Sequence, residues 1–200
     1  MCERAEQPAA PAVWARRAGP WLVALLALLA ATALVLRAQG RLWSCACGRL
    51  LPWVSDAWGA DTSQHFADPY TFTHVLHGVA FCGLLAWALP RLDWPRRSLL
   101  AVAAEAAWEI IENTDFVINR YREATAALGY TGDTVVNSLG DIAACALGFL
   151  LARALGPLRS VIFFVAVEAL LLVWIRDSLL LNILMLVYPL DSVREWQTRH

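Results

Sequence analysis

Five long apolar stretches, separated by polar connections, limit what this 200-residue chain can fold into. They cover residues 21–36, 71–89, 98–118, 134–155 and 160–186. An α-helix needs about 20 apolar residues to cross a bilayer, and a backbone in lipid must satisfy its hydrogen bonds internally. We therefore predict an all-α fold, namely a polytopic transmembrane helical bundle of about five helices.

The last apolar stretch leaves the number of helices open. From residue 160 to residue 190 the chain is apolar almost throughout, which is too long for one upright span and short for two. We predict one tilted span followed by an interfacial helix. The alternative is a tight hairpin that turns at Arg176 and Asp177, which would add a sixth helix.

The composition agrees with a membrane protein. Hydrophobic residues make up 59% of the chain and charged residues 16%, whereas a soluble domain has about 45–50% apolar and about 25% charged residues. The net charge of −1 and the lack of a basic stripe argue against a nucleic-acid partner. The lipid bilayer is therefore the first expected partner, and whether a protein partner exists stays open.

The first twenty residues differ from the rest because they are polar and rich in Pro and Ala. We predict a disordered cytoplasmic N-terminus at residues 1–20 and a single transmembrane helical domain at residues 21–200. Arg16 and Arg17 before a short apolar run also fit a cleaved signal peptide. No convincing A-x-A cleavage site follows that run, so an uncleaved signal anchor is favoured.

Arginines on alternate connections orient the predicted spans. Basic residues concentrate on the cytoplasmic side of membrane proteins. Here they cluster before the first span, between the second and third, and between the fourth and fifth, at Arg16, Arg17, Arg91, Arg96, Arg97, Arg153 and Arg159. The connections at residues 37–70 and 119–133 are then predicted to lie outside.

Ionisable side chains recur inside these stretches and reach the same depth. A charged group at the bilayer centre costs roughly 2.5–3.5 kcal/mol on insertion scales, so such groups persist where they find partners. Glu105, Glu109 and Glu112 form one helical stripe, and His74 and His77 are neighbours on one face. The orientation above brings both sets to the outer half of the bilayer. We therefore predict one shared, buried polar site.

Imidazoles and carboxylates together suit a metal ion, and such an ion could activate water. The candidate metal ligands are His74, His77, Glu109 and Asp141, and the candidate catalytic residues are Glu105 and Glu112. The rest of the predicted polar site comprises His65, Asn113, Asp133, Asn137, Arg176 and Asp177. No H-E-x-x-H or comparable ligand spacing is present. The same residues would also form a plain hydrogen-bond and ion-pair network that fixes helix packing.

The predicted function is that of an integral membrane protein of unknown activity. Its buried His/Glu/Asp site near the outer leaflet would bind a cation, for example a divalent metal ion, or a polar head group. One alternative is a metal-assisted hydrolase or transferase acting on a lipid or lipid-linked substrate. Another is a proton- or ion-coupled carrier, or a helper subunit of a membrane complex. Only Glu168 offers a charged group in the inner half of the bilayer, which counts against a carrier.

The five cysteines predict no clean disulfide framework. Cys45 and Cys47 are too close in sequence for an easy mutual disulfide. Cys82 and Cys145 lie in apolar stretches and are expected to pack as small hydrophobic residues.

Four motifs carry a resemblance to a known family. They are SQHFADPYTFTHVLHG at 63–78, EAAWEIIENTDFVINRYR at 105–122, YTGDTVVNSLGD at 130–141 and IRDSLLLNILML at 175–186. From about Trp43 to Trp196 the chain resembles a family of uncharacterised, mainly alphaproteobacterial, multi-pass inner-membrane proteins. The resemblance implies location in the bacterial inner membrane and supplies no activity or catalytic residue. The stretch from Gly132 to Asp141 also resembles the VanZ-like membrane group, over too short a length to imply a function.

Overall fold

The computed structural model describes residues 12–127 and 129–199, with side chains from residue 19 onward. That part of the chain contains helices and no strand, which confirms the predicted all-α class. The helices are α1 (Ala12–Ala38), α2 (Thr71–Ala88), α3 (Trp94–Glu112), α4 (Asp115–Ala124), α5 (Val135–Leu155), α6 (Pro157–Trp174), α7 (Leu179–Val187) and α8 (Asp191–Gln197).

Within the described residues, four helical segments are long and apolar enough to cross a membrane: Gly19–Ala38, Thr71–Ala88, Val135–Leu155 and Pro157–Trp174. They correspond to the predicted stretches 21–36, 71–89 and 134–155 and to the first part of 160–186. Helix α1 begins at Ala12, inside the segment predicted to be disordered. Residues 1–11 of that segment lie outside the described residues.

The predicted span 98–118 differs from the structure in two ways. Helix α3 is not among the four apolar segments, because its 19 residues include two arginines and three glutamates. It also ends at Glu112, with Asn113 as its C-terminal cap. The Thr114 hydroxyl accepts a hydrogen bond from the Val117 N–H at 3.4 Å and so begins helix α4.

The C-terminal apolar stretch breaks into α6 and the nine-residue α7. At 1.5 Å per residue α7 is about 14 Å long, which is too short to cross a bilayer. The chain turns at Arg176, whose φ of 54° is left-handed, and Ser178 caps α7. The buried Glu168 carboxylate accepts hydrogen bonds from the Leu179 and Leu180 N–H groups at 2.9 and 3.3 Å. The turn therefore falls where the hairpin alternative placed it, without a second crossing.

Helices α2 and α5 form the central pair of the bundle, and glycines let their backbones approach closely. A Cβ atom added at Gly78 would overlap the carbonyl of Cys145, and one added at Gly148 would overlap the carbonyl of Val75. Small residues at contacts are the usual way in which membrane helices pack. By contrast, α1 and α6 leave most of their apolar side chains exposed, as lipid-facing helices do.

The long connection at residues 39–70 packs against the beginning of α5. The Val135 and Val136 N–H groups donate to the carbonyls of Leu42 and Trp43 at 2.8 and 3.1 Å, which satisfies the first turn of α5. The same connection contains a Cys45–Cys47 disulfide with a Cα–Cα distance of 5.2 Å, within the usual range. The expectation that these two cysteines do not pair is therefore wrong, since a single intervening residue allows this separation.

Candidate functional site

A cavity of about 330 Å³ opens among the connection 39–70, the first turns of α2, the end of α3, and parts of α4, α5 and α7. Six ionisable side chains that the sequence analysis singled out line it: His74, His77, Glu112, Asp133, Asp141 and Asp177. Three tyrosines also line it: Tyr70, Tyr121 and Tyr130.

Both histidines of α2 contact one glutamate of α3. The Nδ1 atom of His74 lies 2.5 Å from a carboxylate oxygen of Glu105, and the Nδ1 atom of His77 lies 3.0 Å from both oxygens. Glu105 is fully buried. The i, i+3 spacing of the histidines places them on one face of α2, opposite Glu105 on the neighbouring antiparallel helix. The Glu105 carboxylate therefore fixes the orientation of both imidazole rings.

Three other carboxylates have buried oxygens without hydrogen-bond partners among the described residues. They are both oxygens of Glu109, Oε2 of Glu112 and Oδ1 of Asp141. His74 is near two of these groups: its Nδ1 lies 3.4 Å from Glu109 Oε1 without hydrogen-bond geometry, and its Nε2 lies 3.8 Å from Asp141 Oδ2. Buried polar atoms are normally hydrogen-bonded, so this group of oxygens is suited to binding a cation.

Among the described residues, two sets of side chains that include His74 have potential ligand atoms within 4.8 Å of one another: His74, His77 and Glu105, and His74, Glu109 and Glu112. The first set already makes internal hydrogen bonds. The second set includes the carboxylate oxygens that have no partner. Imidazole nitrogen with carboxylate oxygen is a ligand combination used for Zn²⁺, Mn²⁺ and Fe²⁺.

Asp133 and Asn113 join the end of α3 to the beginning of α5. The Asn113 amide donates to Asp133 Oδ2 at 2.8 Å, and the Asp133 N–H donates to Asn113 Oδ1 at 2.7 Å. The Tyr130 hydroxyl donates to Asp133 Oδ1 at 2.9 Å. Burial raises the pKa of Asp133 above its ordinary value, although these hydrogen bonds act in the opposite direction.

Asp177 lies on the other side of the cavity, in the turn before α7. Its Oδ2 atom accepts from the Tyr70 hydroxyl at 3.2 Å and from the Asn182 amide at 3.3 Å. Its Oδ1 atom accepts from the Ser178 N–H at 2.9 Å. Burial raises the pKa of Asp177 to about 6, with the hydrogen bonds opposing the shift.

Three of the predicted polar-site residues occupy other positions. His65 is buried in the connection 39–70, where its Nδ1 accepts from the Leu51 N–H at 3.2 Å. Arg176 donates from Nη1 to the Trp196 carbonyl at 3.2 Å. Asn137 is buried in the first turn of α5, and its Nδ2 has no hydrogen-bond partner among the described residues. Their roles in a site stay predictions.

The tyrosines and Asn182 are cavity residues that the sequence analysis did not propose. Tyr121 donates from its hydroxyl to the Asn182 side chain at 2.8 Å, which ties α4 to α7. Tyr70 and Tyr130 stand shortly before His74 and Asp133 in the sequence. Both tyrosines stand within four residues of a predicted site residue, at the start of a span. That proximity was the available signal for predicting the two tyrosines as site residues.

The fold and the cavity define a class of protein: a helical bundle of the membrane type with a buried cluster of histidines and carboxylates. The chain belongs to the DUF2585 family, described as proteins of unknown function, whose model matches residues 36–199. This confirms the resemblance to an uncharacterised, mainly alphaproteobacterial family. The short resemblance to the VanZ-like group stays a resemblance.

The relatives are similar over nearly their whole length. The chain is 46% identical over 182 residues to a UPF0314 protein of Rhizobium meliloti (strain 1021), covering 91% of this chain and 92% of the relative. It is 44% identical over 185 residues to a UPF0314 protein of Paracoccus denitrificans (strain Pd 1222), covering 92% and 95%. It is 41% identical over 178 residues to a UPF0314 protein of Sphingopyxis alaskensis, covering 88% and 94%. No solved structure matches the chain.

Proposed function

We propose that this chain is a multi-pass protein of the bacterial inner membrane that binds a divalent cation near the outer leaflet, at the wall of its cavity, between the lining residues His74, Glu112 and Asp141 and the buried Glu109. The ligands in this proposal are His74, Glu109, Glu112 and Asp141. The observation that carries it is the set of buried carboxylate oxygens, on Glu109 above all, that have no hydrogen-bond partner and lie beside His74. His77 is a further candidate ligand, because only its Nδ1 contacts Glu105 and its Nε2 is therefore available to an ion.

Location in a membrane is supported by the four long apolar segments and by the exposed apolar side chains of α1 and α6. The arginine pattern favours an orientation with the connection 39–70 outside. Helix α3 would then return the chain from the inner to the outer side. Its charged residues are tolerable there because Glu105 and Glu109 are buried against protein rather than lipid.

A divalent charge fits the cluster. If Glu105, Glu109, Glu112 and Asp141 are all ionised and both imidazoles are protonated, two negative charges remain uncompensated. Neutralising buried carboxylates by a bound cation avoids the cost of leaving them unpaired. When such an ion binds, the imidazoles must be neutral at the ligating nitrogen, which increases the demand for positive charge.

Glu105 orients the His74 ring for binding the ion. Metal-ligating histidines almost always direct their second ring nitrogen to a carboxylate or carbonyl, which fixes the ring and the tautomer. Glu105 accepts from Nδ1 of His74, so Nε2, which faces Asp141, is the nitrogen left for the ion. We therefore assign Glu105 an orienting role rather than the catalytic one expected from the sequence.

A reaction at the bound ion is the second candidate, favoured by the size of the cavity. About 330 Å³ is far more than an ion occupies and is comparable to small-ligand pockets. In that case His74, Glu109 and Asp141 would hold the ion, which would supply an activated water for hydrolysis of a polar head group or a lipid-linked ester. Glu112 would then leave the ligand set and act as the base, because it lines the cavity. The carrier alternative relied on Glu168 as its charged group in the inner half of the bilayer. The Glu168 carboxylate instead accepts a hydrogen bond from the Leu179 N–H at the start of α7, which counts against that role. The helper-subunit alternative stays a prediction.

Metal analysis of purified protein tests the proposal. The full-length protein, purified in mild detergent without chelator and then exchanged with Mn²⁺ or Zn²⁺, is expected to retain about one ion per chain after desalting. The Glu109→Gln variant is expected to lose it, while Glu123→Gln, a matched change at an exposed glutamate of α4, retains it. Metal-free wild-type protein, or retention of the ion by Glu109→Gln, would contradict the proposal.

A further inference from the structure

A second cluster of reactive side chains lies in the connection 39–70, outside the cation site. Cys45 and Cys47 are joined there, and Nε2 of His65 lies 4.0 Å from Cys47 Sγ. We propose that the Cys45–Cys47 pair is a redox-active disulfide that exchanges with thiols. Cys47 Sγ is the sulfur that the incoming thiolate attacks. His65 is a positioning residue, whose Nε2–H lies beside Cys47 Sγ.

The two sulfurs differ in access. Cys47 is exposed, whereas Cys45 is 8% exposed. An incoming thiolate therefore reaches Cys47, and Cys45 is the leaving group. The Cys47 N–H donates to Cys45 Sγ at 3.1 Å, so the leaving thiolate already has a hydrogen-bond donor. Exposed disulfides with stabilised leaving groups are the ones that exchange readily.

The hydrogen bonding of His65 determines what its ring can do. The ring is 1% exposed, and its Nδ1 accepts the Leu51 N–H at 3.2 Å. A neutral imidazole that accepts at Nδ1 carries its proton on Nε2. Nε2–H can then donate to a thiolate at Cys47, and a donor beside a cysteine favours the thiolate form.

The same tautomer argues against a metal at this cluster. Cys45, Cys47, Asp61 and His65 have potential ligand atoms within 4.8 Å of one another. A metal ligand needs a free lone pair, and Nε2 carries the proton while Nδ1 is occupied by the backbone. Nε2 lies 4.0 Å from both Asp61 Oδ1 and Cys47 Sγ. That distance is beyond hydrogen-bond reach for an oxygen but not for the larger sulfur atom, so the sulfur is its functional partner.

The exchange balances with a thiol as the co-reactant, either a low-molecular-weight thiol or a protein dithiol. One thiolate attacks Cys47 Sγ, the Sγ–Sγ bond breaks, and its electron pair goes to Cys45 Sγ, which takes a proton. In the mixed disulfide, Cys47 Sγ is bonded to the sulfur of the first co-reactant thiol. A second thiolate attacks that co-reactant sulfur and releases Cys47 as a thiolate beside His65 Nε2–H. Two electrons pass from two thiols to the pair. Of the two thiol protons, Cys45 takes one and the other stays in the solvent while Cys47 is a thiolate, and the co-reactant leaves as a disulfide.

The predicted orientation agrees with this chemistry. The connection 39–70 is expected outside, and disulfides form and persist in the oxidising bacterial periplasm rather than in the cytoplasm. The proposal does not depend on the cation site, so the two can fail separately.

Trapping with glutathione disulfide tests which sulfur reacts. The full-length Cys45→Ser and Cys47→Ser variants form a matched pair, each with one thiol of the cluster. In folded protein, Cys47 in Cys45→Ser is expected to form the mixed disulfide at least about tenfold faster than Cys45 in Cys47→Ser, read by mass spectrometry. Equal rates would overturn the proposal.

Two further measurements separate a redox role from a structural one. Excess reduced glutathione is expected to open the wild-type disulfide while the protein keeps its melting temperature; reduction only after denaturation would overturn the proposal. In the Cys45→Ser background, His65→Asn keeps an acceptor for Leu51 but removes Nε2–H. The pH of half-maximal alkylation of Cys47 should then rise by about one unit. An unchanged profile, or stoichiometric Zn²⁺ on the reduced cluster, would also overturn it.

Discussion

Glu105 and Glu109 lie one helical turn apart on α3, yet their surroundings differ. Glu105 accepts hydrogen bonds from two imidazoles, whereas neither oxygen of Glu109 has a hydrogen-bond partner among the described residues. Both side chains are fully buried. The sequence predicts that the two share a face, but only the positions of His74 and His77 distinguish an orienting carboxylate from a ligand.

This difference predicts graded losses of metal affinity. Glu105→Gln should weaken binding roughly 10–100-fold, the usual effect of losing a group that orients a ligand. Glu109→Gln should weaken it further, because a ligand is removed. Competition with a coloured chelator measures both, with Glu123→Gln as the control. A larger loss for Glu105→Gln than for Glu109→Gln would contradict the assigned roles.

Asp177 predicts a pH-dependent stability. Its pKa is raised to about 6 in the folded protein because burial disfavours the charged form. The folded state thus prefers the protonated acid, so this contribution is full below about pH 4 and is lost as the pH rises through 6. The loss is on the order of 3 kcal/mol, from a shift of about two units at about 1.4 kcal/mol each.

Asp177→Asn stays neutral and should remove this term. The melting temperature of the variant relative to wild type is therefore expected to rise between pH 4 and pH 7, measured in detergent at fixed ionic strength. A difference that stays flat or falls over that range would show that Asp177 is not held in an environment that disfavours its charge.

At the scale of helices, the contact between α2 and α5 positions the site. His74 lies on α2 and Asp141 on α5, so their 3.8 Å separation depends on how closely these helices approach. Gly78 and Gly148 permit that approach, since a Cβ at either position would overlap the backbone of the other helix.

Adding one methyl group at this contact should be costly. Gly78→Ala or Gly148→Ala is expected to destabilise the protein by about 1–3 kcal/mol through overpacking, and to weaken metal binding as the helices separate. Gly83→Ala on α2 is the matched control, because its Cβ would meet nothing within 4 Å. Equal unfolding midpoints in denaturant for Gly78→Ala and Gly83→Ala would contradict the role of the contact.

The ends of the helices show what the sequence could predict. Long apolar runs predicted α2 and α5 to within a residue or so, because hydropathy alone decides them. The break between α3 and α4 depends on the Thr114 cap. The sequence analysis missed this local signal because the apolar pattern favoured one continuous span at residues 98–118. The beginning of α7 depends on Glu168, eleven residues away from Leu179, and no local pattern indicates such a contact.

At the scale of the whole molecule, the cavity forms where several segments meet at one level. Helical spacing and the arginine pattern together predicted that His74, Glu112 and Asp141 would reach a common depth, and all three line the cavity. The path of the connection 39–70, which places Gln64 against the cavity, could not be predicted. Irregular segments follow tertiary contacts, here the hydrogen bonds to the beginning of α5, rather than a repeating pattern.

The overall topology predicts an external C-terminus. With the connection 39–70 outside, α2 and α3 form one return crossing and α5 and α6 another, while α7 is too short to cross. Fusion of alkaline phosphatase after the last residue should therefore be active, and fusion of green fluorescent protein there should be dark. Bright fluorescence with an inactive phosphatase would reverse the orientation and place the cavity at the inner leaflet.

The position of a bound ion tests the cation site most directly. Crystals of the full-length protein soaked in Mn²⁺ should give one strong anomalous peak within coordination distance of His74, Glu109, Glu112 and Asp141. The same peak should be missing in Glu109→Gln crystals treated identically. Crystals without a peak there, or with Mn²⁺ only at exposed carboxylates, would contradict the account.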